Sequence, residues 1–204
     1  MTDDKAILSI SSPGVMFANV FPSPYIDILR LFSRDWSLAE LSGDVQQNID
    51  KVIGKRVFAV GGITTAANYL ALPRPSATAG LGLESPLLYL QLRLVPSVPF
   101  TIHFDVLTDK KFVIRFSLSS RYSSIKRVGT VVQLPCPEQL LQNAGTWTVL
   151  ALDLPVLVGK LLPASDGGYA SLTSLVVCCT LSLCAAFISE QVRCSCVHRP
   201  VCTL

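Results

Sequence analysis

The stretch that decides the fold reads Phe100-Thr101-Ile102-His103-Phe104-Asp105-Val106, and after a short link Phe112-Val113-Ile114-Arg115-Phe116-Ser117-Leu118. In both runs apolar and polar side chains alternate, which is the period of a strand buried on one face. The link Thr108-Asp109-Lys110-Lys111 has the length and polarity of a hairpin turn. The two runs therefore predict an antiparallel hairpin in which both Phe112 and Phe116 face the core.

The same alternation recurs on both sides of this hairpin. Leucines at 88, 90, 92 and 94 alternate with Tyr89, Gln91, Arg93 and Val95, so we expect a strand with one leucine face and one polar face. Proline-rich turns such as Leu72-Pro73-Arg74-Pro75 separate the segments. Further strand candidates are residues 57–60, 67–72, 130–134 and 147–154. Many short strands of this kind predict an all-β fold, a jelly-roll-like β-sandwich.

Helical spacing is scarce in this chain. Ser23 and Pro24 supply a cap and a first helical residue, and apolar residues follow at 25, 28, 29 and 32. We therefore predict a short amphipathic helix over 24–33, within a fold that has one or two short helices in all.

An uncharged stretch from Gly167 to Ser189 leaves two readings open. It is long enough to cross a bilayer, so a tail-anchored membrane protein with hydrophobic segment 170–189 is one alternative. The stretch also contains Ser171, Thr173, Ser174, Thr180 and Ser182, has no basic flank before it, and divides at Thr180 into two strand-length pieces. The second reading is a pair of core strands.

Charge is distributed unevenly. Residues 1–50 carry a net −4, residues 51–127 a net +8 and residues 128–204 a net −1, so the middle of the chain predicts an anionic partner. Lys55 and Arg56 would extend the basic group if the fold brought them near. The group itself comprises six residues in a run of eighteen, Lys110, Lys111, Arg115, Arg121, Lys126 and Arg127. The other reading of such a run is a solvated face. No aromatic platform for stacking bases accompanies it, so we do not expect nucleic acid.

Signals for catalysis are few. The chain has two histidines. A triad built on His103 would need a serine and an acid converging on its strand face, so His103 and Asp105, two residues apart on one face, read as surface structure. Glycine pairs at 61–62 and at 80 and 82 form no phosphate-binding loop. We therefore expect no enzyme and no cofactor. Trp36, Trp147 and Tyr69 keep a carbohydrate-binding β-sandwich open as an alternative, since an exposed aromatic on a sandwich can bind sugar.

The cysteines lie late in the chain, and their number is odd, seven. We expect reduced, buried thiols rather than a disulfide framework. Cys194, Cys196, His198 and Cys202 have ligand types that suit zinc, although their spacing matches no common zinc knuckle, and we expect no metal.

Several phrases, in the order in which they occur, resemble the cilia- and flagella-associated protein 20 domain family, above all its centriolar member. The similarity spans about residues 16–190. It is carried by Met16-Phe17-Ala18-Asn19-Val20-Phe21, Gly43-Asp44-Val45, Ala66-Ala67-Asn68-Tyr69-Leu70-Ala71-Leu72-Pro73, the run 100–106 and Trp147-Thr148-Val149-Leu150-Ala151-Leu152-Asp153-Leu154.

This resemblance implies a structural domain of the axoneme, basal body or centriole that binds microtubules. The implied partners are tubulin and other ciliary or centriolar scaffold proteins, at the doublet inner junction or the centriole inner scaffold. It also favours two core strands over a membrane anchor for 170–189. The predicted organisation is a flexible segment 1–15, the family domain over 16–190 and a Cys-rich tail 191–204. We expect the six basic residues, with Lys55 and Arg56, to contact the microtubule.

Overall fold

The computed structural model describes residues 8–11, 25–33, 35–62 and 64–190, with the backbone alone for residues 8–11. Within these residues the chain forms two seven-stranded sheets and three short α-helices. Strands are numbered along the chain. Sheet 1 contains, in spatial order, β1 (Leu8–Ser11), β12 (Thr148–Asp153), β7 (Leu87–Leu94), β14 (Leu181–Ser189), β5 (Arg56–Val60) and β4 (Val45–Ile49), with β2 (Tyr25–Asp27) beside the end of β14. Sheet 2 contains β10 (Lys126–Val128), β11 (Val131–Pro135), β9 (Val113–Ser119), β8 (Phe100–Thr108), β13 (Tyr169–Cys179), β6 (Tyr69–Leu72) and β3 (Glu40–Ser42).

The predicted all-β sandwich is confirmed. Every neighbouring pair of strands is antiparallel except β9 and β11, which run parallel. The helices are α1 (Ile28–Phe32), α2 (Glu138–Gln142) and α3 (Leu154–Leu161), one more than the most that the sequence predicted. The predicted strand 147–154 is observed as β12, which ends at Asp153, and Leu154 begins α3 because the Asp153 carboxylate accepts a hydrogen bond from Val156 N at 3.0 Å and caps that helix.

The core lies between the leucine face of β7 and the phenylalanine face of β8. Leu88, Leu90 and Leu92 are fully buried, as are Ile102, Phe104 and Val106 across the sandwich. The rings of Phe104 and Phe116 stack with their centroids 5.3 Å apart. Alternation in the sequence therefore identified the buried faces of the central strands correctly.

The uncharged stretch 167–189 forms two strands that meet at a corner. β13 ends at Cys179 in sheet 2 and β14 begins at Leu181 in sheet 1, so the single residue Thr180 connects the sheets. Both strands lie inside their sheets, with neighbours on either side, which explains why the stretch carries no charge. None of the helices in the described ranges is long and apolar enough to cross a bilayer.

A second and a third crossing between the sheets lie at the same corner, and Asn68 joins them. Its Oδ1 accepts a hydrogen bond from Asp44 N (3.0 Å) in the link from β3 to β4, and its Nδ2 donates to Thr64 O (3.1 Å) in the link from β5 to β6. Its main-chain carbonyl accepts from Cys179 N at 3.0 Å. Thr180 completes the corner by donating from Oγ1 to a carbonyl of the β5–β6 link.

Two glycines make room for Asn68. Gly43 and Gly62 have φ values of +69° and +79°, where a side chain is strained, and a Cβ on either would lie within 2.5 Å of an Asn68 side-chain atom. The close approach of three chain segments at this corner therefore depends on glycine at both positions.

The predicted helix over 24–33 is shorter than expected. Tyr25–Asp27 pairs with the end of β14, and the helix begins only at Ile28, because the Asp27 carboxylate accepts a hydrogen bond from Arg30 N at 3.1 Å. Asp27, and not Ser23, is thus the cap. Ser23 and Pro24 lie outside the described residues.

The assignment of Phe112 to the core was wrong. Phe112 is 50% exposed and β9 begins one residue later, at Val113. The turn accounts for this, because Lys111 has a φ of +67° and Phe112 O accepts a hydrogen bond from Thr108 N at 2.9 Å. Phe112 therefore closes the turn instead of starting the strand.

The outer face of sheet 1 is more buried than alternation predicts. Gln91 is only 1% exposed, and its amide nitrogen and oxygen have no hydrogen-bond partner among the described residues. Beside it, the turn after β4 folds over the sheet, so that buried Asp50 contacts Arg93 Nη2 at 2.9 Å and Trp147 Nε1 at 3.3 Å. Some polar side chains on this face are therefore buried and bond to one another instead of facing solvent.

We expect Asn68→Ala to lower the free energy of unfolding by about 1–2 kcal/mol, because it removes two side-chain hydrogen bonds that hold separate crossings together. Asn48→Ala is the matched control, since it deletes the same group from an exposed strand position. Urea unfolding of both variants measures the difference. Equal effects of the two substitutions would contradict the role given to Asn68.

Candidate functional site

The six basic residues predicted as one group lie along one edge of sheet 2. Lys110 and Lys111 occupy the turn between β8 and β9, Arg115 lies on β9, and Arg121 follows it. Lys126 and Arg127 lie on β10, the edge strand. We call this set of six residues the basic edge.

The basic edge extends along the full length of β9. Seven residues at about 3.3 Å each separate its two ends by roughly 20 Å. The turn that joins β10 to β11 lies at the Lys111 end, because Arg115 N donates to Thr130 O at 2.8 Å. Arg121 lies at the other end, next to Ser119.

Two of the arginines are fixed by acids. Arg115 donates from Nε and Nη2 to the two carboxylate oxygens of Asp105, at 2.7 and 2.8 Å, and Ser174 Oγ also donates to that carboxylate. The hydrogen bonds with Asp105 raise the pKa of Arg115. Arg127 Nη2 lies 2.5 Å from Asp166 Oδ2, an ion pair without the geometry of a hydrogen bond, while its Nε donates to Gly129 O.

The lysines are freer. Lys110 donates to a main-chain carbonyl, that of Ala164, at 2.8 Å, and it forms no ion pair with any acid in the described ranges. Lys111 and Lys126 are exposed and pair with no acid in the part of the chain that the structure describes. Because the six basic side chains are accompanied by three acids, Asp105, Asp109 and Asp166, the basic edge has a net charge of +3.

Apolar side chains accompany these charges, which sequence reasoning missed. Phe112, Val113, Ile125 and Val128 are all between 50% and 54% exposed and lie among the basic residues in the chain. Alternation assigned Phe112 and Val113 to a strand and gave no sign that they are exposed. The only signal of exposure in the sequence was the position of these residues beside lysines and turn residues. The edge is thus amphipathic as well as basic.

Lys55 and Arg56 do not join the basic edge. They lie at the turn between β4 and β5 in sheet 1. β4 follows β3 after a two-residue link, and β3 and β10 are the opposite edges of sheet 2. The fold therefore places these two residues on the far side of the sandwich.

His103 lies on the outer face of sheet 2, on the strand next to Arg115, but it is not paired with Asp105. The Asp105 carboxylate is occupied by Arg115 and Ser174, and the buried Nδ1 of His103 has no hydrogen-bond partner among the described residues. Burial lowers the pKa of His103, as does the charge of Arg115, while Asp105 partly opposes them. The geometry therefore lacks the acid–histidine contact of a catalytic triad.

The tryptophans and cysteines are structural where they are described. Trp147 is buried under the Arg93 guanidinium, 5.0 Å from the ring centre, and Trp36 packs on Phe58. Burial raises the pKa of Cys136 and of Cys178 to about 12, so both thiols are neutral at physiological pH. The described residues contain no cluster that could hold a metal ion. Cys194, Cys196, His198 and Cys202 lie outside them.

The lowered pKa of His103 makes stability depend on pH. As the pH falls below about 6.5, the unfolded chain binds the proton before the folded chain does, so the wild-type protein loses stability that His103→Gln keeps. We expect the free energy of unfolding of the wild type, relative to the variant, to decrease between pH 7.5 and 5. Chemical denaturation at several pH values measures it, and a difference that does not change with pH would contradict a buried neutral His103.

Comparison with known proteins places the chain in a family. The model of the CFA20 domain matches residues 16–195. The chain is 36% identical over 176 residues to centriole proteome protein 16 of Chlamydomonas reinhardtii, covering 85% of this chain and 8% of that protein. It is 33% identical over 175 residues to human WD repeat-containing protein 90, covering 80% of this chain and 10% of that protein.

The chain thus spans about a tenth of the length of these curated relatives. Among solved structures, an agarase is similar over 90% of this chain and 25% of its own, at 7% identity and a TM-score of 0.29, which is too low to support an argument. The match to the family model covers most of the chain and agrees with the resemblance found in the sequence. This chain belongs to the CFA20 domain family.

Proposed function

We propose that this domain is a non-enzymatic structural component of centrioles or cilia that binds microtubules through the basic edge. The names of the relatives support the setting, since one is a centriole proteome protein. The observation that carries the choice of surface is the presence, among four half-exposed apolar side chains on one edge, of two exposed lysines that pair with no acid of the described residues.

Charge complementarity favours tubulin as the partner. The outer surface of tubulin is acidic, and the basic edge has a net charge of +3. Opposite potentials speed the encounter of two proteins and fix their orientation, and the attraction weakens as salt screens it. Binding through this edge is therefore expected to depend strongly on salt.

The four exposed apolar side chains give the basic edge apolar contact area, which a solvated charged face lacks. Exposed aliphatic and aromatic side chains in one patch are typical of protein interfaces, whose centres are apolar and whose rims are polar. Phe112 and Val128 lie close to the turns at the Lys111 end, where the two hairpins β8–β9 and β10–β11 meet. We infer that this end forms the centre of the contact.

The paired arginines supply rigid donors. Arg115 uses Nε and Nη2 for Asp105, which leaves part of its five N–H donors free and its orientation fixed. A side chain that is already held loses little conformational entropy when it binds. Arg115 and Arg127 therefore fit a positioning role, while Lys111 and Lys126 provide the uncompensated charge.

The alternative classes are less favoured. A carbohydrate-binding sandwich would need an exposed aromatic platform, yet Trp147 is buried beneath Arg93. A tail anchor would need the segment 170–189 in a membrane, yet its residues form core strands in both sheets.

We expect the double substitution Lys111→Gln and Lys126→Gln to weaken binding to taxol-stabilised microtubules about three- to tenfold at low salt, because two exposed charges are lost. Co-sedimentation of the purified chain across a salt series measures both the affinity and its salt dependence. The salt dependence of the variant should be shallower than that of the wild type.

The matched control is Lys55→Gln with Arg56→Gln, which removes the same charge from the opposite side of the sandwich. This control should bind like the wild type. Equal weakening of the two double variants would mean that net charge alone drives binding, and unchanged binding of both would rule out the basic edge. Wild-type protein that is folded but fails to pellet at low salt would reject tubulin as the direct partner.

The converse change tests the same surface in the other direction. Asp166→Asn removes the acid that compensates Arg127, so it raises the net charge of the basic edge by one. We expect tighter binding at low salt, by up to a few fold, in the same co-sedimentation assay. Weaker binding would indicate that the ion pair is needed to position Arg127 and not only to offset its charge.

A further inference from the structure

The far edge of the sandwich has a different chemistry. β4 is the last strand of sheet 1, and in the described ranges its only strand partner is β5. Its residues from Gln46 to Ile49 are exposed, and Ile49 and the following Val52 are 72% and 78% exposed. These values mean that none of the described residues covers this strand.

β4 lacks the devices that usually protect an edge strand. Its sequence, Val45-Gln46-Gln47-Asn48-Ile49, has no charge and no proline, and it pairs with β5 in continuous register without a bulge. By contrast, the two edges of sheet 2, β3 and β10, are three residues long and include Glu40, Lys126 or Arg127. An uncharged, regular edge of five residues is a template for pairing with another strand.

The hydrogen bonds at both ends of β4 show which backbone groups face outward. Gly61 N donates to Asp44 O at 2.7 Å, and Asp50 N donates to Lys55 O at 2.9 Å. Since the pairing alternates along an antiparallel strand, the even-numbered residues bond to β5. The N–H and C=O groups of Gln47 and Ile49 therefore point to the open side.

This edge is complementary to itself. If two β4 strands pair antiparallel about Gln47, each Gln47 faces Gln47 of the partner subunit, and each Val45 faces Ile49 of the partner subunit. The side chains of Val45 and Ile49 are on the same face of the strand, so the exposed Ile49 gains an apolar neighbour. The same register sets Asp44 opposite Asp50 of the partner subunit, and each Asp50 is already neutralised within its own subunit by Arg93 at 2.9 Å.

We propose that two copies of this chain associate through β4, in antiparallel register about Gln47, and join their copies of sheet 1 into one continuous sheet. Such a contact is isologous and closed, as most homodimers are. A five-residue pairing buries less area than the roughly 1,200 Å² of a stable complex, so the dimer is weak, with a Kd on the order of 100 μM.

Sedimentation velocity of the full chain from about 10 to 500 μM tests this association at a range that brackets such a Kd. The wild type should move from monomer towards dimer over this range. Gln47→Lys places two positive charges directly opposite each other at the centre of the pairing, and should weaken the dimer about tenfold.

Gln46→Lys is the matched control. It adds the same charge one residue away, on the other face of the strand and opposite Asn48 of the partner subunit, so it should dimerise nearly as the wild type does. Thermal unfolding of each variant shows that the monomer is intact. A wild type that stays monomeric at 500 μM, or a Gln47→Lys variant that dimerises as well as Gln46→Lys, would overturn the proposal.

Discussion

The sandwich depends on one corner, where three crossings between the sheets are held by Asn68. A β-sandwich needs its sheets fixed relative to each other, and core side chains alone allow them to slide because apolar contacts have little directional preference. Hydrogen bonds are directional, and the Asn68 side-chain amide accepts one from Asp44 N and donates one to Thr64 O, while its main-chain carbonyl accepts one from Cys179 N. They set the register of β4, β6 and β13 at the same point, and from there the alternation of each strand determines what is buried.

The corner also explains the unusual hydropathy of the chain. A stretch of 23 uncharged residues would be a hazard in a single exposed strand, but here Thr180 divides it between two sheets, and each half lies inside its sheet. Strands in that position are screened on both sides by neighbours and on one face by the core, so they gain from apolar residues throughout. The stretch that resembles a membrane segment in the sequence therefore forms interior strands of both sheets.

The sequence predicted the parts of the structure that follow from local periodicity. The strands over 88–94 and 100–106 and the division at Thr180 were correct because alternation and burial reinforce each other there. The errors have a common cause. In each case one hydrogen bond near the end of an element shifts its start. The bond from Thr108 N to Phe112 O delays the strand by one residue, and the bond from Arg30 N to Asp27 delays the helix by four.

The candidate surface could be predicted only in part, for a related reason. Clustering of charge in the chain identified the six residues, and strand pairing did bring them to one edge. Which charges remain uncompensated depends on contacts that are distant in sequence, such as that of Arg127 with Asp166. The separation of Lys55 and Arg56 from the basic edge likewise follows from the strand order, which the periodicity of the sequence does not predict.

The two edges of the sandwich can act at the same time because the strand order separates them. β10 ends sheet 2 on one side, while β4 ends sheet 1 on the other, next to β3. A charged and amphipathic edge attracts a partner of opposite charge and repels a second copy of itself, whereas a neutral edge has no such preference and relies on backbone pairing. Weak pairing through β4 would then count most where the basic edge has already gathered copies on a common support. There the effective concentration is high, and an interface too small to hold two free molecules together is sufficient to align them.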